Sequence, residues 1–338
     1  MPRAIGFAAL LAALLTVAGC GAGTSKSART VASPAGSSTT ASSATGSPAT
    51  GTGAIGTASS GTAAQSGTAS SGTAAQSGTA ARTGPATAVP RFDHIVVVVL
   101  ENHAYSQIIG RSSAPFLNSL ADRGAVLTRS HGITYPSQPN YLAMFSGSTQ
   151  GLTDNSCPHN FTGPNLAAAL LAAGHSFVGY SEDLPATGFT GCGSGAYARK
   201  HNPWVNFGEL PTTVNQPLTA FPGDLSRLPE VSFVIPNLDN DMHDGTVAEG
   251  DRWLRAHLGA YADWSTAHNS LLIVTADEDD KSHDNRIATI VTGAQVRPGR
   301  YSVRTDHYGL LATLLAGYGL TPFGEAARAQ PITTIWSR

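Results

Sequence analysis

Apolar runs that stop abruptly at acidic residues are the main feature of the folded portion of the chain. His94–Leu100 is an unbroken run rich in β-branched residues, and Glu101 and Asn102 follow it directly. Leu271–Thr275 is a second such run, and soon after it come the four consecutive acids Asp277–Asp280. Runs of this kind are typical of strands that are buried on both faces of a parallel sheet. Because the carboxyl ends of parallel strands share one edge of the sheet, the pattern predicts a cation site there.

The other apolar positions predict further helices and strands, separated by Gly, Pro and Asn. Helices are predicted at residues 114–121, 142–145, 165–173, 251–268 and 308–318. Strands are predicted at residues 125–128, 176–180, 230–235 and 287–291. Because helices alternate with strands, the predicted fold class is α/β, with a mostly parallel sheet covered by helices on both faces.

Two segments of different composition precede this portion. Residues 1–20 carry Arg3, an apolar run and a final Cys20, which predicts a bacterial lipoprotein signal peptide with Cys20 as the lipidated residue. A plain secretory signal is the alternative. Residues 21–88 are Ser, Thr, Gly and Ala with an internal repeat, so they are predicted to be a disordered tether. We therefore expect an exported protein, lipid-anchored on the extracytoplasmic face of the cell membrane, with residues 89–338 as one domain.

Charge and cysteine usage narrow the choice of partners. The chain has 20 Lys and Arg against 22 Asp and Glu, a net charge of -2, and no basic stripe, which argues against a nucleic acid partner. The sequence also gives no sign of an obligate protein partner. Cys157 and Cys192 lie in Gly- and Pro-rich loops and are predicted to form a disulfide in an oxidising compartment. A metal site is the alternative, but C-x-x-C spacing is absent.

Ser137 is the candidate nucleophile, because two prolines fix the backbone around it where an apolar helix begins. A helix N-terminus offers unpaired N–H groups that suit a phosphate oxyanion. A serine hydroxyl needs activation, and a metal ion would supply it. The alternative is that Ser137 only caps the helix. His243, beside Asp241, and His307, at the head of the last helix, are candidates for metal binding or proton transfer.

Six ordered motifs across residues 92–320 resemble the bacterial phosphoesterase family of acid phosphatases and phospholipases C. They are most similar to its secreted acid phosphatases, which include a phosphatidylinositol 3-phosphate phosphatase. The motifs are Leu100-Glu101-Asn102-His103, Pro136-Ser137-Gln138-Pro139-Asn140-Tyr141, Tyr197-Ala198-Arg199-Lys200-His201-Asn202-Pro203-Trp204, Asn240-Asp241-Met242-His243-Asp244, Asp251-Arg252-Trp253-Leu254 and Asp277-Glu278-Asp279-Asp280.

The resemblance implies an alkaline-phosphatase-like α/β fold and transfer of a phosphoryl group to Ser137, with His243 and His307 as further catalytic residues. The implied ligands of one metal ion are Glu101, Asn102, Ser137, Asp277 and Glu278. The implied residues of a second site are His243, His307 and either Asp241 or Asp239. The implied contacts to the phosphate or the leaving group are Asn140, Lys200 and His201.

The metal and the reaction class follow from the same residues. Glu278 stands where the two-zinc pattern has a histidine, and Asn102 is an added neutral ligand, so Ca²⁺, Mg²⁺ or Mn²⁺ is favoured over zinc. Whether the second site holds a metal is open; if it does not, His243 and His307 bind phosphate as imidazolium and favour acidic pH. The predicted activity is that of a metal-dependent phosphomonoesterase on exported phosphate esters, phosphoinositides included. The alternatives are a phosphodiesterase of the phospholipase C type and a non-catalytic surface lipoprotein.

Overall fold

The structure, a computed structural model, describes residues 89–337 of the 338-residue chain. The predicted signal peptide with Cys20 and the predicted tether lie outside the described residues. The strands are β1 (His94–Leu100), β2 (Ala125–His131), β3 (Phe177–Ser181), β4 (Gly193–Ser194), β5 (Tyr197–Ala198), β6 (Asn215–Pro217), β7 (Val231–Ile235), β8 (Ser270–Ala276), β9 (Arg286–Gly293) and β10 (Gly299–Asp306). The α-helices are α1 (Tyr105–Ile108), α2 (Pro115–Arg123), α3 (Ser137–Ser146), α4 (Leu166–Ala172), α5 (Val247–Trp264) and α6 (His307–Gly317).

Eight of the strands form one sheet in the order β10-β2-β9-β8-β1-β7-β3-β6. Strand β9 runs antiparallel to both of its neighbours, and the other pairings in this sheet are parallel. The central strand β1 lies between β8 and β7, where Val97 pairs with Ile273 on one side and Phe233 on the other. The predicted α/β fold with a mostly parallel sheet is therefore confirmed, and the residues that follow β1, β7 and β8 meet at the carboxyl edge.

Helices cover both faces of the sheet, and β1 shows why its sequence is apolar throughout. Val97 and Val99 face the layer that contains α3, α4 and α6, whereas Val96 and Val98 face the layer that contains α2 and α5. All four side chains are fully buried. Since successive side chains of a strand point to opposite faces, a sheet covered on both sides requires apolar residues at every position.

Helix α3 is the support for Ser137, and all ten of its residues are buried. A helix that is buried all round presents no polar face, which explains the apolar run that the sequence shows there. The helix ends at Gly147, whose φ of 67° lies in the left-handed region. A Cβ atom at Gly147 would lie only 2.7 Å from the carbonyl oxygen of Phe323, so this sharp end requires glycine.

The boundaries of α5 differ from the prediction of residues 251–268. The helix begins at Val247 because Thr246 and Glu249 form a capping box: the Thr246 N–H donates to the Glu249 carboxylate (2.8 Å), and the Glu249 N–H donates to the Thr246 hydroxyl (3.2 Å). It ends at Trp264, four residues before the predicted end. Apolar periodicity locates the buried face of a helix, whereas the polar cap sets where the helix starts.

Strand β10 and the small elements of residues 193–227 were not predicted. β10 is an edge strand with alternating exposed and half-buried residues, so it carries no apolar run. Residues 193–227 form the hairpin β4–β5, the short strand β6 and several 3-10 helices. The predicted disulfide joins Cys157 to Cys192 and ties this region to the loop before α4.

Within residues 89–337, no helix has both the length and the hydropathy needed to cross a membrane.

Candidate active site

Four segments that are distant in sequence meet at the carboxyl edge of the sheet. Glu101 follows β1, Asp277 follows β8 and Asp241 lies in the loop after β7. Two backbone hydrogen bonds join these segments, because the Asp277 N–H donates to the carbonyl oxygen of Leu100 (3.0 Å) and the Glu101 N–H donates to that of Asp241 (2.7 Å). The fourth segment is α3, which begins at Ser137. The sheet thus holds the acidic segments in a fixed arrangement at the N-terminus of α3.

Both oxygens of the Glu101 carboxylate are held by α3. The Ser137 hydroxyl donates to Oε2 (2.9 Å), and the Tyr141 hydroxyl donates to Oε1 (2.5 Å). Ser137 and Tyr141 are four residues apart, so they lie on the same face of the helix. All three side chains are buried. The serine proton is therefore directed at a buried carboxylate whose orientation the tyrosine fixes.

His201 bridges Glu101 and Asp241. Its Nδ1 lies 3.0 Å from Asp241 Oδ2, and its Nε2 lies 3.3 Å from Glu101 Oε1, close enough for an ion pair but not aligned as a hydrogen bond. The imidazole stacks on the Tyr141 ring with centroids 5.0 Å apart. Burial alone would lower the pKa of His201, but the Glu101 charge and the Asp241 hydrogen bond outweigh it and raise the pKa to about 10. Ligand atoms of Glu101, His201 and Asp241 lie within 4.8 Å of one another, an arrangement that could hold a cation.

Asp277 is a fully buried acid with incomplete hydrogen bonding. Its Oδ1 accepts from the Asn102 N–H (3.2 Å), whereas within the described residues Asp277 Oδ2 and Asn102 Oδ1 are buried without a hydrogen-bond partner. Burial, together with the negative charges of Glu101 and Glu278, raises the pKa of Asp277 well above its usual range. Asn102 has a φ of 52°, a conformation that asparagine tolerates better than most residues. Unpaired buried oxygens beside repelling carboxylates are the environment that a cation would stabilise.

Glu278 and Asn140 connect this site to the loop before α3. The Asn140 Nδ2 donates to Glu278 Oε2 (2.9 Å) and to the carbonyl oxygen of Thr134 (2.9 Å), and its Oδ1 accepts from the N–H groups of Ile133 (2.8 Å) and Thr134 (3.1 Å). Burial and the Glu101 charge raise the pKa of Glu278 to about 8. Asn140 thus uses both ends of its amide to hold the loop that carries Ser137, and its predicted contact with substrate stays a prediction.

Lys200 places a positive charge beside the acids, and His243 lies next to it. Lys200 Nζ lies 3.0 Å from His243 Nε2, and His243 Nδ1 lies 2.6 Å from Asp244 Oδ1. The backbone N–H of His243 donates to Asp241 Oδ1 (2.8 Å), which fixes the loop relative to the buried cluster. Burial would raise the pKa of Glu101, but the charges of His201 and, to a smaller extent, Lys200 lower it. The Lys200 charge also opposes the rise that burial causes in the pKa of Glu278. Positive charge therefore lies next to the carboxylates.

The residues predicted for a second metal site are not gathered in one cluster. Asp241 lies with Glu101 and His201, whereas Asp239 is exposed. The His307 Nε2 lies 2.5 Å from the carbonyl oxygen of Asp277, and burial lowers the pKa of this imidazole. Among the described residues, neither His243 nor His307 falls in a group of three or more closely spaced metal-ligating side chains. Their roles as metal ligands stay predictions.

The other two acids of the 277–280 run have local partners. Asp279 accepts from the Tyr135 hydroxyl and from the backbone N–H groups of Lys281 (2.7 Å) and His283 (2.8 Å), so it organises its own loop. Asp280 is more exposed and accepts from Gln107 (2.8 Å). Asp277 and Glu278 are therefore close enough to feel the charge of Glu101, whereas Asp279 and Asp280 make contacts within and beside their own loop.

Tyr141 and the bridging position of His201 were not anticipated from the sequence. The signal for Tyr141 is its spacing of four residues from Ser137 on a predicted helix, which places both side chains on one face. The bridging of His201 has no comparable signal, because it depends on how the long loop after β3 returns to the sheet. Glu182 is also new: its carboxylate accepts from the Asn237 N–H (2.9 Å) and the Trp253 indole (2.8 Å) and so supports the loop after β7.

The chain is similar in sequence to known phosphoesterases. Residues 111–321 match the family model of the phosphoesterase family. The chain is 55% identical over 254 residues to a phosphatidylinositol-3-phosphatase of Mycobacterium tuberculosis, covering 74% of this chain and 85% of that protein. It is 31% identical over 255 residues to a phosphate-repressible acid phosphatase of Penicillium chrysogenum, covering 69% of this chain and 61% of that protein.

Among solved structures, the fold is similar to that of a protein in the alkaline phosphatase superfamily from Vibrio parahaemolyticus. The two share 14% sequence identity with a TM-score of 0.51, and the match covers 75% of this chain and 72% of the other. At this identity the likeness concerns the fold, and it agrees with the alkaline-phosphatase-like architecture expected from the sequence.

Proposed function

Since the chain belongs to the phosphoesterase family and is a phosphoric ester hydrolase, we propose that it hydrolyses phosphate monoesters with Ser137 as the nucleophile. One observation carries this proposal: the Ser137 hydroxyl, at the N-terminus of α3, donates to the buried Glu101 carboxylate at 2.9 Å. The proton of the attacking group thus has an acceptor in place, and the N-terminus of α3 adds partial positive charge beside Ser137.

The donor set fits a divalent cation that prefers oxygen ligands. Asp277 Oδ2 and Asn102 Oδ1 are buried oxygens with no hydrogen-bond partner within residues 89–337. We propose that they hold such a cation together with Glu101 and Ser137, and that Ca²⁺, Mg²⁺ or Mn²⁺ fits better than zinc. When bound, the cation supplies positive charge that lowers the pKa of the serine hydroxyl and offsets the charge of the phosphate.

The protein side chains then have separate tasks. Ser137 Oγ forms the new bond to phosphorus while its proton passes to Glu101 Oε2, and the bond to the ester oxygen breaks. Lys200 and His243 stabilise the phosphate oxygens, and the departing alkoxide takes a proton from this pair. Water then attacks the phosphoserine and gives a proton back to the Lys200–His243 pair. The bond from Ser137 Oγ to phosphorus breaks, Oγ takes back the proton from Glu101, and phosphate is released. The distance of 3.0 Å between Lys200 Nζ and His243 Nε2 supports their action as a unit.

The relatives favour monoesters as substrates. The protein at 55% identity is named a phosphatidylinositol-3-phosphatase, and the one at 31% identity an acid phosphatase. We therefore propose phosphomonoesters as the substrate class, with phosphoinositides among them. The test is a comparison of p-nitrophenyl phosphate with bis-p-nitrophenyl phosphate at matched metal concentration. We expect kcat/KM to be at least about tenfold higher for the monoester, because a second ester group competes for the space around Lys200 and His243.

A preference for the diester in that assay would replace the proposal with the phosphodiesterase alternative. Equal inertness towards both compounds and towards phosphatidylinositol 3-phosphate, in protein with confirmed metal binding, would favour a non-catalytic role.

Tyr141→Phe is expected to lower kcat by about 10- to 100-fold, since a hydrogen bond to a charged group contributes roughly 1.5–3 kcal/mol. Phenylalanine keeps the ring that stacks on His201 but removes the donor to Glu101 Oε1. The carboxylate can then rotate away from Ser137. Steady-state kinetics should show the loss in kcat, with a smaller change in KM.

Tyr261→Phe is the matched control for that variant. Tyr261 is also buried, but its hydroxyl donates to the carbonyl oxygen of Leu271 (2.9 Å). Leu271 lies at the amino end of β8, whereas the active site lies at the carboxyl end. We expect this change to lower the thermal midpoint while leaving kcat near the wild-type value. A wild-type kcat for Tyr141→Phe would contradict the positioning role.

We also propose that the enzyme acts outside the cytoplasm. The disulfide between Cys157 and Cys192 supports this location, because such bonds persist in oxidising compartments. The proposed lipid anchor at Cys20 lies outside the described residues.

A further inference from the structure

Four arginines lie near one edge of the sheet, and two of them contact Tyr105. The Arg286 guanidinium lies over the Tyr105 ring, 4.2 Å from its centroid, and Arg300 Nη1 donates to the Tyr105 hydroxyl (2.9 Å). Arg304 and Arg129 are neighbours in the pairing of β10 with β2. We call Arg129, Arg286, Arg300 and Arg304 the arginine face. They come from β2, β9 and β10, so the fold brings together residues that no basic stretch of the sequence would reveal.

The four side chains lie on the same side of the sheet. Tyr301 and Val303 of β10 pack against the layer of α3 and α6, so Arg300 and Arg304 lie on the opposite side. Arg129 shares the side of Arg304, because cross-strand neighbours in a sheet point the same way. Arg286 shares the side of Arg300 through their common contact with Tyr105.

The arginine face has no carboxylate at ion-pair distance in the described part of the chain. Within residues 89–337, none of the four arginines makes an ion pair with a carboxylate, whereas Arg91, Arg123 and Arg328 each do. Three of the four are exposed, and Arg286 is half-buried. Like charges that face each other across two strands are destabilising. The repulsion between Arg129 and Arg304 therefore lowers the stability of the fold, and an anionic partner would remove this repulsion.

Protection of a sheet edge explains only part of the arrangement. Charged residues on an edge strand prevent pairing with other chains, which accounts for Arg300 and Arg304 on β10. It does not account for Arg129, because β2 is an interior strand. Arg286 also has local contacts, since its Nε donates to the carbonyl oxygen of Thr128 (2.8 Å) and its guanidinium lies over Tyr105. The three exposed arginines are therefore the ones that a ligand reaches first.

The arginine face is close to the active-site edge. Arg129 and Arg304 lie two residues before the ends of β2 and β10, and these parallel strands end at the same edge as β8. β10 is the third neighbour of β8 in the sheet, which corresponds to roughly 15 Å at about 4.8 Å per strand. We infer that the arginine face docks the domain onto an anionic lipid bilayer, with the guanidinium groups binding lipid phosphates beside the catalytic edge.

An anionic bilayer fits the face better than nucleic acid does. The arginines spread across three strands of a sheet, and Tyr105, which contacts two of them, is half-buried, as suits an aromatic residue at a membrane interface. Planar guanidinium groups match phosphate oxygens in two-pronged contacts. This inference does not depend on the catalytic role of Ser137.

The test is sedimentation of the full chain with vesicles of phosphatidylcholine alone or with about one third phosphatidylserine. Every protein carries Cys20→Ser so that no attached lipid contributes, and the neutral vesicles measure any binding by residues 1–20. We expect Arg129→Gln/Arg304→Gln to bind anionic vesicles about 30-fold more weakly, since each basic residue near such a surface contributes about fivefold. The Arg129→Lys/Arg304→Lys variant should retain binding to within a few-fold, and about 0.5 M NaCl should abolish it.

Arg227→Gln/Arg255→Gln is the matched control, because it removes the same charge from exposed positions outside the face. It should bind like the wild type, and thermal midpoints should confirm that each variant is folded. Equal binding of the Arg129→Gln/Arg304→Gln variant and this control would overturn the inference. So would wild-type binding that is equal on neutral and anionic vesicles, or displacement from vesicles by an equal phosphate concentration of duplex DNA.

Discussion

Replacement of Ser137 by alanine should lower kcat on phosphate monoesters by about 10³-fold or more, because no other group can accept the phosphoryl group at that position. The fold should remain intact. Ser137 is buried at the start of α3, and its hydroxyl makes one hydrogen bond, to Glu101 Oε2 at 2.9 Å. Alanine keeps the helix backbone, and the Tyr141 hydroxyl still holds the carboxylate through Oε1. Steady-state kinetics and thermal unfolding of the same preparation measure both quantities.

A chemical trap and a matched variant sharpen this test. Rapid acid quenching of the wild type during turnover should leave a phosphoryl group on the peptide that contains Ser137, and mass spectrometry should find none in the alanine variant. Ser148→Ala removes another serine hydroxyl just beyond the other end of α3, where it accepts from the Gln150 N–H (3.0 Å). It should keep near-normal kcat. Near-normal turnover of Ser137→Ala would exclude Ser137 as the nucleophile.

The sequence was sufficient to predict the sheet and its acidic edge, because burial on both faces leaves a direct mark on composition. Val96 to Val99 are apolar since helices cover both sides, and Asp277 follows an equally apolar strand. Once two such strands are parallel, the residues after them must share an edge. That geometry placed Glu101 beside Asp277 without any knowledge of strand order.

The contacts that loop residues make could not be predicted from apolar patterns in the sequence. His201 is buried between Glu101 and Asp241 because the loop after β3 folds back over α3, and its predicted contact with the phosphate or the leaving group stays a prediction. The Asn140 amide holds the loop of residues 133–136, which the sequence did not indicate, and its predicted contact with substrate stays a prediction. Hydrophobic periodicity carries no information about such contacts, since they depend on the path of polar segments between elements.

Edge strands and charged surfaces are also difficult to predict from the sequence, for a related reason. β10 has one free edge and alternates between exposed and half-buried positions, so its sequence has no apolar run. Its register with β2 places Arg304 beside Arg129, which are 175 residues apart in the chain. A basic surface assembled across strands is visible only after the strand order is known, and the near-neutral composition of the chain concealed it.

Asp277→Asn should have opposite effects on metal binding and on intrinsic stability. Loss of one buried carboxylate should weaken Mn²⁺ binding by at least about 100-fold and lower kcat by a similar factor. In a chelator at neutral pH, however, the variant should have a higher thermal midpoint than the wild type. Burial and repulsion from Glu101 and Glu278 raise the pKa of Asp277, so ionising it costs folding free energy, and a neutral amide avoids that cost.

The raised pKa of Asp277 also determines how the stability difference between the variant and the wild type changes with pH. A raised pKa in the folded state means that the wild type loses stability as pH rises above the unfolded value of about 4, so the advantage of the variant should grow with pH and vanish near or below about pH 4. Asp280→Asn is the matched control in the same acidic run, because Asp280 is more exposed and its pKa is lowered by the Ser282 hydrogen bond. It should keep Mn²⁺ affinity within about threefold. Titration calorimetry measures the affinity, and thermal unfolding in chelator measures the stability. A thermal midpoint below that of the wild type in chelator would mean that the Asn102 N–H and other local contacts outweigh the repulsion between the carboxylates, and that the site does not require a cation for electrostatic balance.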